Sequence, residues 1–70
     1  MRIRLNNPAL TGDLVDYLRQ NDCEAMAMGP NLVAVSLSHA LPYDAARLEL
    51  GVHLGDWALE NGNAGAVILD

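Results

Sequence analysis

Seventy residues with a single cysteine, Cys23, leave this chain with one small core and no disulfide to reinforce it. Nine carboxylates against four basic residues give a formal charge of −5, which disfavours nucleic acid and anionic membranes as partners. No apolar run reaches membrane-spanning length and none in MRIRLNNP suits a signal peptide, so one domain over residues 1–70 in a reducing cytoplasm is expected.

Met1 to Leu5 alternates, with Ile3 and Leu5 on one side and Arg2 and Arg4 on the other, which predicts a short strand with one buried face. Asn7 and Pro8 then read as the cap and first residue of a helix. Leu10, Leu14, Tyr17 and Leu18 recur at helical spacing through to Asn21, with Asp13, Asp16 and Arg19 on the wet side. Cys23 to Met28 alternates again, Glu24, Met26 and Met28 on one side and Cys23, Ala25 and Ala27 on the other. Cys23 reads as a small buried apolar residue, and the two methionines as packing residues.

Gly29-Pro30-Asn31 is a turn signal, and Leu32 to Leu37 is apolar almost throughout, as a central strand is. Together these segments predict a hairpin. After a connection over Ser38 to Pro42, a second helix is expected from Tyr43 or Asp44 to Asn61, stopped by Gly62. Ala64 to Leu69 completes the series as a last strand.

The second helix is unusual because its apolar residues fall into two stripes. Successive residues lie about 100° apart around a helix axis. Leu41, Ala45, Leu48, Val52, Gly55 and Leu59 share one side, and Tyr43, Ala46, Leu50, Leu54, Trp57 and Ala58 the opposite one. An acidic wedge of Glu49, His53, Asp56 and Glu60 runs between them. One sheet covers one stripe. The spacing of the first stripe suits the core, which leaves Tyr43, Leu50, Leu54 and Trp57 as the expected contact surface. That surface is either covered in part by the first helix or met by a second copy in a twofold, isologous contact. Gly51 and Gly55, four residues apart, would permit close approach of a neighbour.

The order of elements predicts an α+β fold of the ferredoxin-like βαββαβ type, a four-stranded antiparallel sheet with both helices on one face. In topology alone it resembles small regulatory modules that dimerise, such as ACT-like domains. No motif supports the chemistry of other groups that share such an order. The loop Asn6-Asn7-Pro8 has neither the cysteines of heavy-metal-associated domains nor the arginine of acylphosphatases, and LVAVSL lacks the aromatics of RNA-recognition modules.

No cofactor motif and no nucleophile–base pair appear, so a non-enzymatic, self-associating interaction or regulatory module is expected, with a homodimer or another protein as partner through the second helix. The other reading is a small-ligand or divalent-metal-binding domain, using a cleft between subunits or the wedge of Glu49, His53, Asp56 and Glu60, with His39 as the candidate ligand from a second element. All four basic residues are arginine and Phe is absent, a bias that fits a GC-rich, bacterial coding sequence.

Overall fold

The computed structural model describes residues 1–37, 41–62 and 64–69. Strand β1 (Arg2–Leu5) leads through a 3-10 turn at Pro8–Leu10 into helix α1 (Thr11–Gln20). Strands β2 (Cys23–Gly29) and β3 (Leu32–Leu37) follow as a hairpin, then helix α2 (Tyr43–Glu60) and strand β4 (Ala66–Leu69). The four strands form one antiparallel sheet in the order β2-β3-β1-β4.

Strands β1 and β2 bury the side that alternation predicts, and register adds Val33 and Val35 of β3 to it. Ile3 and Leu5 of β1, Cys23 and Ala25 of β2, and Val33 and Val35 of β3 point into a single core with Leu14, Val15 and Leu18 of α1. Both helices lie on this face, because Leu50, Leu54 and Trp57 of α2 belong to the same core. Met1 extends the pairing of β1 with β3, its carbonyl accepting from the Val35 N–H at 2.8 Å.

The first helix begins later than its cap signal implies. Asn7 does cap, its side-chain oxygen accepting from the Ala9 N–H at 3.0 Å, but Pro8–Leu10 form a 3-10 turn and the α-helix starts at Thr11. Thr11 is buried, and its hydroxyl donates to the Pro30 carbonyl at 2.7 Å. That bond ties the start of α1 to the hairpin turn and satisfies a polar group that would be costly to bury unpaired.

Both helices end by the same device. Asn21 and Asn61 each donate a side-chain N–H to the carbonyl four residues back, on Tyr17 at 2.7 Å and on Trp57 at 2.8 Å. A left-handed residue follows in each case, Asp22 at φ 60° and Gly62 at φ 68°. These bonds satisfy carbonyls that a helix end leaves without partners. The expected stop at Gly62 is correct, and the asparagine before it makes the side-chain bond.

Helix α2 turns its other stripe inward. Leu50 is fully buried, Trp57 is 2% exposed, and Leu54 and Ala46 are buried with them. Leu48, Val52 and Leu59 are 72%, 61% and 73% exposed, and Leu41 is exposed too. The expected assignment of the two stripes is therefore reversed. Bulk explains the outcome. A tryptophan buries roughly 150–250 Å², which at about 25 cal/mol per Å² amounts to roughly 4–6 kcal/mol. The opposing stripe offers a valine and a glycine where this one has the tryptophan and a second leucine, so the orientation that buries Trp57 wins.

Strand β4 is shorter than expected, beginning at Ala66 and not at Ala64. It pairs with β1 from Leu5↔Ala66 to Arg2↔Leu69 and forms one edge of the sheet, with β2 at the other. Ile68 sits opposite the buried Ile3 but is only partly buried. Gly51 and Gly55 of α2 offer no side chain to cover it.

Candidate interaction surfaces

Among the described residues, two apolar surfaces are exposed, on opposite sides of the domain. The first is the outer side of α2, where Leu48, Val52 and Leu59 fall within about 40° of one another at 100° per residue. It continues toward β4 over a groove of about 430 Å³ floored by Gly51, Gly55 and Ala58 and walled by Ile68. Of the four residues expected at the contact surface, Leu50, Leu54 and Trp57 are core residues and cannot meet a partner while the domain is folded. Tyr43, at the start of α2, is exposed.

The second surface is the face of the sheet opposite the helices. Register places Met26, Ala34, Arg2 and Leu69 in one row across all four strands, and Leu32, Arg4 and Val67 in a neighbouring row. Met26 and Val67 are 62% and 49% exposed, and Met28 on the β2 edge is exposed as well. The methionines are therefore surface residues and not core packing. A one-sided antiparallel sheet normally turns polar side chains to water. Here the open face is mostly aliphatic, with Arg2 and Arg4 on an inner strand and Glu24 toward the β2 edge.

The acidic wedge of α2 lies on the side toward α1. Burial, and after it the carboxylates of Asp56 and Glu60, raise the ionisation of the Tyr17 hydroxyl above its ordinary 10.0. Glu49 is partly buried near Cys23. Among the described residues, no three His, Cys, Asp or Glu side chains converge as a metal site would require. His39, the candidate second-element ligand, lies outside the described residues.

Cys23 is buried, and its thiol donates a long 3.5 Å bond to the Asn21 carbonyl. Burial raises its pKa above 9.0, with smaller contributions from Glu49 and Asp22. The protonated thiol is thus the folded form at neutral pH. Iodoacetamide should modify native Cys23 at least about tenfold more slowly than the urea-unfolded chain. The unfolded thiol ionises first as pH rises, so stability is unchanged by this group at neutral pH and falls as pH passes 9.0. Urea midpoints measured at neutral and alkaline pH should show that fall, and Cys23→Ala should lessen it. An equal alkaline fall in both proteins would refute the role of Cys23.

These features define an α+β domain built on one four-stranded antiparallel sheet with two helices and two exposed apolar surfaces. No helix among the described residues is long and apolar enough to cross a membrane. The chain matches no protein-family model, no curated protein and no solved structure.

Proposed function

We propose that this chain is a non-enzymatic interaction or regulatory module of the ferredoxin-like type that associates with copies of itself through the outer side of α2. The single observation that carries the reading is the stripe of Leu48, Val52 and Leu59, each more than 60% exposed on one helix face. Covering side chains of that size contributes roughly 1.5–3 kcal/mol apiece. Contiguous apolar patches of this kind mark interaction sites. The order of elements and the sheet order β2-β3-β1-β4 support the ferredoxin-like assignment. The lone buried thiol suits a reducing compartment such as the cytoplasm.

Val52 is the residue to change, since Leu54→Asp would place a carboxylate in the core and test folding instead. Light scattering should give a mass above the monomer for the wild type at tens of micromolar. Val52→Asp should be monomeric, with an unchanged circular dichroism spectrum, and its melting temperature should match the wild type's once both are diluted to monomer. A monomeric wild type would overturn self-association.

A further inference from the structure

We propose that the surface receiving α2 is the open sheet face of the next copy, so that association runs head to tail. This inference rests on the self-association reading above and adds the second half of the contact. Charge selects the pairing. Beside its apolar stripe, α2 exposes Asp44, Asp56 and Glu60 against Arg47 alone. The open face presents Arg2 and Arg4 among Met26, Leu32, Val67 and Leu69, against Glu24.

Two isologous alternatives fare worse. Packing α2 on α2 across a twofold axis brings two acidic helices together. Packing sheet on sheet gathers the four arginines of two copies near one axis. Like charges juxtaposed in an interface select against it, whereas opposite charges fix register and speed encounter.

Dimensions agree as well. Leu48 to Leu59 spans eleven residues, about 16 Å along a helix. Three strand spacings, the distance across this sheet, come to about 14 Å. A helix laid across the strands can therefore set its stripe on the aliphatic side chains while its acidic flank reaches Arg4.

The helices and the open face lie on opposite sides of the domain, so each copy keeps one surface free after using the other. Such contacts propagate into rings or open chains and do not close at two. The mass of the wild type should thus rise with concentration past the dimer, and added salt should weaken association because the flanking charges are exposed.

Mixing two variants provides the decisive test. Arg4→Glu spoils the sheet face and leaves α2 intact, while Val52→Asp does the reverse. Each alone should associate at least about tenfold more weakly than the wild type. Their equimolar mixture should give a capped one-to-one dimer, since one sound contact is available. Matching circular dichroism spectra, and matching melts at a dilution where all are monomeric, establish that both fold, and Met26→Glu with Leu59→Asp replaces the pair if either does not.

A wild-type mass that stops at the dimer, or Arg4→Glu associating like the wild type, overturns the head-to-tail arrangement and leaves self-association through α2 standing. A mixture that stays monomeric overturns it too. A monomeric wild type removes both readings.

Discussion

Replacing Trp57 with alanine should remove about 3–5 kcal/mol of stability, the largest loss expected from any single truncation in this chain. Trp57 is 2% exposed and belongs to the core shared by both helices and the sheet. A 70-residue domain holds roughly 0.05–0.15 kcal/mol per residue, or about 4–10 kcal/mol in all. The loss is therefore a large share of what the fold has. Trp57→Ala should show a urea transition at much lower concentration when followed by circular dichroism.

Leu50→Ala should cost about 2–5 kcal/mol and keeps the lone tryptophan as a fluorescence reporter of the core. Val52→Ala, measured at a dilution that keeps the chain monomeric, is the control, since exposed positions usually change stability by no more than about 0.5 kcal/mol. The three variants together read out which stripe of α2 faces the sheet. Equal losses at Trp57 and Val52 would contradict the observed orientation.

That orientation is where the amino-acid sequence and the fold part company, and the reason is physical. In β1 and β2 the side-chain period of two separates two faces, because a one-residue error would place Ile3 or Cys23 in water. Ile3, Leu5 and Cys23 are legible for that reason, whereas LVAVSL is apolar almost throughout and names no face for Val33 and Val35. In α2 apolar residues surround the axis so evenly that periodicity names two stripes without ranking them. The ranking lay in side-chain volume. One stripe carries Trp57 and no glycine, the other Gly55 and only Val52 between its leucines.

The candidate surface moves with that correction, from Leu50, Leu54 and Trp57 to Leu48, Val52 and Leu59. Met26 departs from expectation for a different reason. Its alternation with Glu24 puts both residues on the face away from Cys23, but methionine's apolarity argues for packing, and the structure shows that neither helix lies over it. The second surface depends on strand order. Arg2 and Met26 stand 24 positions apart, and they share a row only because Ala34 of β3 lies between them.

Gly65→Ala should cost about 1–3 kcal/mol through overpacking, and most of that cost should vanish when Asn6 is also replaced by alanine. Gly65 sits where the chain enters β4, and its carbonyl accepts from the Asn6 N–H at 2.9 Å. A Cβ on Gly65 would overlap the Asn6 amide nitrogen and lie 2.7 Å from its Cγ and 3.3 Å from its Cβ. The backbone bond holds the main chain of Asn6 beside Gly65, so the new methyl group must either turn the side-chain amide out toward water or push β4 away from β1.

Asn6→Ala removes the two severe contacts and leaves one that a shift of a few tenths of an ångström relieves. Asn6 is exposed, so the single change should alter stability by no more than about 0.5 kcal/mol. A double-mutant cycle by urea unfolding should then show a coupling of about 1 kcal/mol or more. Displacing β4 also disturbs the row in which Leu69 lies beside Arg2, so Gly65→Ala should weaken self-association where Asn6→Ala does not. A coupling near zero would mean that the start of β4 yields without strain, and the link between that entry and the open sheet face would fail with it.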